Sequence, residues 1–136
     1  MASVRFTLHI DEPEFDRQIV GHARRRMARL QRRTATQAKQ DVPVKTGNLG
    51  RTIGEGDIRT VGPRTVTGSV HATADYALYV HEGTRPHVIR PRNAAVLRFE
   101  VGGRTVFARL VRHPGTKARP FLRNAGERVA AEEAAR

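Results

Sequence analysis

The sequence predicts an α+β domain: a largely antiparallel sheet with a long N-terminal helix, a short middle helix and a C-terminal helix. Three observations predict it. Residues Ser3 to Ile10 alternate strictly, with Val4, Phe6, Leu8 and Ile10 on one face and Ser3, Arg5, Thr7 and His9 on the other, the pattern of a half-buried strand. Phe15, Ile19, Ala23, Met27, Leu30, Thr34 and Ala38 then recur by threes and fours, which is one face of an α-helix. Farther on, Gly102-Gly103 separates two alternating apolar runs, a strong hairpin signal. A chain of 136 residues has room for one core, so residues 1–136 are read as a single domain.

The helix is expected from about Glu12 to about Asp41. Asp11, Pro13 and Glu14 form its acidic, proline-marked start, and Pro43 ends it. Gly21 weakens its middle by roughly 1 kcal/mol relative to alanine, so it depends on what it packs against. Val44 to Gly50 reads as a turn-rich segment around Gly47. Asp57–Val61 and Thr65–Ala72, rich in threonine and valine, read as two strands joined at Gly62-Pro63-Arg64. Tyr76 to Glu82 suits a short helix capped by Asp75 and ended by Gly83. Val88-Ile89 is a short extended piece. The hairpin arms are Val96–Val101 and Arg104–Val111; the second is patterned either by Val106, Ala108 and Leu110 or by Phe107 and Val111. Pro120 opens a C-terminal helix that buries Phe121, Leu122, Ala125 and Val129.

Hydrophobic residues make up 38% of the chain and tryptophan is absent, so the expected core is thin or completed by other subunits. The formal charge is +12, which draws the surface to polyanions, either nucleic acid or an acidic protein face. Much of it lies on the polar side of the long helix, where Arg24, Arg25, Arg29, Arg32 and Arg33 are candidate partner-docking residues. No aromatic residues interleave them, which argues against single-strand base stacking. No apolar stretch approaches bilayer-spanning length, and the alternating N-terminus is unlike a secretory signal, so no membrane partner is expected.

Catalytic constellations are not legible. With no cysteine there is no thiolate chemistry, disulfide or cysteine-ligated zinc. His81-Glu82 resembles the start of a His-Glu-x-x-His zinc helix, but position 85 is Arg85. His81, His87 and His113 have no metal-ligand spacing, and Ser3 and Ser69 are the only serines, neither in a nucleophile elbow. Asp75 and Glu82 lie too far apart along a helix to share a proton, and Glu82 is expected to pair with an arginine. Neither an enzyme nor a cofactor is expected.

The stretch from Ala74 to Ala125 is built on a doubled element. Tyr76-Ala77-Leu78-Tyr79-Val80-His81-Glu82-Gly83-Thr84-Arg85-Pro86 and His113-Pro114-Gly115-Thr116-Lys117-Ala118-Arg119-Pro120 each combine a Gly-Thr turn with a proline. Gly83, Pro86, Gly115 and Pro120 are read as structural, and Glu82, Thr84, Arg85, His87, Thr116, Lys117 and Arg119 as contact residues, because proline lowers the ordering cost of a docking loop and arginine suits interfaces.

Taken with Val42-Pro43-Val44-Lys45-Thr46-Gly47-Asn48-Leu49 and Arg119-Pro120-Phe121-Leu122, these segments, in this order, resemble the neck or tail-completion family of long-tailed bacteriophages. Lys45, where the family pattern has an acidic residue, and His81-Glu82, which shifts its glutamate by one place, depart from that pattern. The resemblance implies a virion structural protein assembled in the host cytoplasm, at the head–tail junction. It would form a homo-oligomeric ring, six-fold favoured over twelve-fold. Its partners would be the adjacent head-completion and tail proteins, in a tail-completion or terminator role, with genomic DNA passing non-specifically through the channel. A competing expectation is a free nucleic-acid-binding domain that uses the arginine-rich helix.

Overall fold

The computed structural model describes residues 1–9 and 16–136. The expected helix start at Asp11, Pro13 and Glu14, together with Ile10 and Phe15, lies outside the described residues. The fold is α+β, and every strand ladder is antiparallel. Among the described residues the strands divide among three sheets rather than one.

The main sheet is organised on one central strand. Strand β1 (Ala2–His9) runs antiparallel to β4 (Thr65–Ala72) along its whole length. On the other edge of β4, β2 (Ile53–Glu55) pairs with its C-terminal half and β3 (Arg59–Val61) with its N-terminal half. Burial along β4 alternates strictly: Val66, Gly68, Val70 and Ala72 point inward, and Thr65, Thr67, Ser69 and His71 point outward. One face is therefore packed and the other is polar, as an antiparallel sheet permits.

Helix α1 (Asp16–Asp41) covers the packed face of β4 and lies against α4 (Phe121–Ala134), which also reaches β1. The predicted line of Ala23, Met27, Leu30, Thr34 and Ala38 is buried. The buried face is wider than that line, because Gln31 and Ala35 are buried too. Gly68 makes the close approach possible: a Cβ there would lie 2.8 Å from Met27 Cγ and 2.9 Å from Gln31 Nε2. Gln31 Nε2 donates to the Gly56 and Ser69 carbonyl oxygens, both at 2.8 Å, and so pins α1 to the connection between β2 and β3. Much of the core is alanine, with Ala2, Ala35, Ala38, Ala72, Ala74, Ala77 and Ala125 around Val42, Leu49, Ile53, Val70, Phe121 and Leu122. This is the thin core that the composition predicts.

Several elements differ from expectation. The turn around Gly47 continues into a one-turn helix, α2 (Asn48–Arg51), whose N-cap Gly47 has φ 73°. Strand β2 was not predicted; three residues with one buried apolar side chain, Ile53, carry too little pattern to read. Asp57 lies before β3 rather than in it. Helix α3 (Ala77–Glu82) has Tyr76 at its N-cap with no side-chain capping bond, so Asp75 does not cap it. The second hairpin arm is shorter than Arg104–Val111: β6 (Leu97–Val101) pairs with β7 (Arg104–Ala108), and Val111 begins a separate strand, β8 (Val111–His113). The β6–β7 register places Val106 and Ala108, not Phe107, on the face shared with Leu97 and Phe99. Strand β8 pairs instead with β5 (His87–Ile89).

Candidate functional site

The three separated motif segments meet. Val42 and Leu49 from the first, Ala74 and Ala77 from the second, and Phe121 and Leu122 from the third belong to one core cluster, with Val80 packed against it. On the surface, Pro43 to Leu49 and the side chains of Tyr76 and Val80 line a cleft of about 270 Å³. Asn48 Nδ2 bonds the Tyr76 hydroxyl at 3.3 Å across it. Its walls include Val44, which is 77% exposed, and Tyr76, 42% exposed, with Lys45 among the lining residues.

The doubled Gly-Thr element closes on itself. Thr84 and Thr116 form a two-residue bridge, with Thr84 N donating to Thr116 O at 3.0 Å and Thr116 N to Thr84 O at 3.1 Å. Thr116 N also reaches Thr84 Oγ1 at 3.0 Å. The glycines make this clasp possible by reciprocal contact. Gly83 has φ 74°, and a Cβ there would lie 2.5 Å from Thr116 O and 2.7 Å from Ala118 N. Gly115 has φ 90°, and its Cβ would run into Thr84 O and lie 3.0 Å from the Arg85 carbonyl carbon. Each glycine thus leaves room for the other segment's backbone, at a backbone angle that other residues rarely adopt.

Below the clasp, Arg119 N donates to Val80 O at 2.9 Å, tying the segment before α4 to α3. His81 is buried with its ring edge-on to Phe121, centroids 5.4 Å apart, and its Nδ1 lies 2.6 Å from Glu82 Oε1. Glu82 also faces Arg123 at 3.6 Å, so its expected arginine partner comes from α4. His81 Nε2 is buried and has no hydrogen-bond partner among the described residues.

Above the clasp, β5 and β8 bring His87 opposite His113, with rings stacked and centroids 5.0 Å apart. His87 Nδ1 donates to Arg85 O at 2.8 Å, whereas His113 Nδ1 accepts from Gly115 N at 3.1 Å, so the two rings hold opposite tautomers. Of the three histidines considered for a metal, this pair alone is stacked, while His81 packs on Phe121 instead. Among the described residues no group of three or more potential ligands comes together. Arg85, Pro86, His87, Lys117 and Arg119 are exposed around the clasp.

The clasp and the β5–β8 pair form the base of a protruding ribbon. Strands β6 and β7 are closed by Gly102 (φ 56°) and Gly103 (φ 78°), the two positive angles of a tight hairpin turn. Beyond their mutual ladder, neither strand packs extensively on another element. Phe107 is 63% exposed and Val101 57%. Sequence reasoning identified the hairpin but not its isolation, because an alternating strand reads alike whether or not anything covers its apolar face.

The arginines predicted on α1 separate into three groups. Arg25, Arg29 and Arg32 are exposed, have no ion pair among the described residues, and line a shallow cleft of about 330 Å³ with His22 and Ala28. Arg24 donates to Thr60 Oγ1 at 3.1 Å, reaching β3. Arg33 turns inward to α4, where it meets Glu132 at 2.6 Å and Glu133 at 3.0 Å, and so is not available as a free docking group. Arg26, absent from the predicted set, shares Glu133 at 3.1 Å. No helix among the described residues is long and apolar enough to cross a membrane.

No family model, curated protein or solved structure matches this chain.

Proposed function

We propose that this chain is a structural assembly subunit, a ring-forming neck or tail-completion protein of a long-tailed bacteriophage virion. The observation that carries the reading is the convergence of the three family-like segments. They are far apart in sequence, yet all three contribute to one core cluster, the first two line one apolar cleft, and the second is clasped to the Gly-Thr turn that precedes the third. The surface there also suits docking: the cleft offers exposed Val44 and Tyr76, and the clasp holds arginine, lysine and histidine side chains on a rigid backbone.

In this role the subunit joins the head-completion complex to the tail and lines the channel through which DNA leaves. A closed ring requires a heterologous contact, in which two different patches meet head to tail. The cleft and the ribbon are two such different patches. The test is native mass spectrometry of the purified chain and of material assembled with its neighbours. A six-membered ring is expected; monomers or two-fold dimers alone, in both preparations, refute the proposal.

A further inference from the structure

We infer that the β6–β7 ribbon and its base form a duplex-nucleic-acid-binding arm that enters a groove and neutralises phosphates on both walls. The inference stands on the ribbon's own charge and exposure, and holds whether or not the chain forms a ring. Residues 85–119 contain nine arginines or lysines and a single acid, Glu100, so they carry +8 of the chain's formal +12. All nine cations are exposed, and none has an ion pair among the described residues. Outside this segment Arg26, Arg33, Arg59, Arg123 and Arg128 each have a carboxylate within 4.0 Å, whereas Arg25, Arg29 and Arg32 on α1 have none among the described residues. Arg98 and Arg104 lie on the ribbon strands and the other seven around its base, and this concentration of unpaired charge calls for a polyanion.

The distribution of that charge favours a duplex over an acidic protein. In the ladder Arg98 stands opposite Phe107, and Arg104 opposite Val101. Strand alternation puts Arg98 on one face of the ribbon and Arg104 on the other. Arg90, Arg92, Arg109 and Arg112 flank the base. A flat acidic surface would engage only one face of such a ribbon. A groove has phosphates on both sides, and cations on both faces can then be used together. The dimensions agree: strands about 4.8 Å apart and about 17 Å long for five residues at ~3.3 Å each fit a major groove about 12 Å wide and about 8.5 Å deep, which admits a two-stranded ribbon. Stiffness at the base comes from the clasp, so the arm is presented rather than tethered.

The experiment measures binding of the full chain to a short random-sequence DNA duplex by fluorescence anisotropy across a salt series. About five phosphate contacts give a slope of log Kd against log salt of roughly 4 to 5. Replacing three arm residues together (Arg98→Ala, Arg104→Ala and Arg112→Ala) should lower that slope by about one per arginine and weaken binding more than tenfold at low salt. These side chains are exposed and unpaired, so the variant should unfold at the parent's temperature. The control, Arg25→Glu with Arg29→Glu on α1, should leave most of the slope in place. No duplex binding at low salt overturns the inference. So does an arm variant with an unchanged slope, or binding lost in the helix control but kept in the arm variant. Polyglutamate that displaces the duplex at equal charge concentration overturns the choice of a duplex in favour of an acidic protein.

Discussion

Replacing Gly115 by alanine tests whether the clasp is an interlock or only a turn. The backbone there sits at φ 90°, and the added Cβ would press on the Thr84 carbonyl and lie 3.1 Å from Pro86 N. The left-handed angle alone costs about 1–2 kcal/mol for a residue with a Cβ. Relief of the steric contact requires the Thr84–Thr116 bridge to open, and its two backbone bonds are worth about 1 kcal/mol each. The sum is about 3–4 kcal/mol of local stability. Gly102→Ala is the matched control: φ is 56°, but nothing lies within 4 Å of its Cβ, so only the angle should count. The difference of about 2 kcal/mol corresponds to roughly thirty-fold in an equilibrium constant. The clasp lies outside the buried core, so the loss should appear first as local opening. Hydrogen exchange at the Thr84 and Thr116 amides reads it directly, with urea unfolding as the global measure. Equal effects of the two substitutions on those amides would refute the interlock. Gly83→Ala should behave like Gly115→Ala, and the double variant should cost less than the sum, because either change opens the same bridge.

Two further predictions concern how α1 is held. Gln31→Leu keeps the volume but removes the donor to the Gly56 carbonyl, while Ser69 O keeps Gly56 N at 2.7 Å, and should cost about 1–2 kcal/mol in urea unfolding; a cost below that of an exposed substitution on α1 would remove Gln31 from the account. Glu133→Ala breaks contacts to both Arg26 and Arg33 on a partly exposed surface. It should cost about 1 kcal/mol at low salt and much less near 1 M salt, where screening is strong; a cost insensitive to salt would mean that packing, not charge, joins α1 to α4.

The parts of this fold that were legible are those with a sustained period. The alternation beginning at Ser3 and the spacing from Ala23 to Ala38 each repeat often enough to be read without a partner. Strand β2 and the β5–β8 pair are three residues a side, too short for any period, and their existence depends on register supplied by neighbours. Gln31 was hidden for a related reason. A polar residue beside an apolar line reads as the helix flank, and only the two carbonyls brought near it from β4 and the β2–β3 connection make it core. The doubled Gly-Thr element could be seen as two similar turns, but not as two halves of one clasp, since nothing local records that Thr84 finds Thr116.

Charge presents the opposite case. The eye goes to the arginine runs of α1, yet two of that helix's arginines, Arg26 and Arg33, are matched by glutamates at the far end of the chain. No count within the helix could show that. Around the ribbon the decisive quantity was local all along. With Glu100 the only carboxylate between Arg85 and Arg119, and Thr105 rather than an arginine opposite it in the ladder, the ribbon has no cross-strand ion pair to form. Its cations must therefore be satisfied by water and counterions or by another molecule, and displacing those counterions is what makes phosphate binding favourable there.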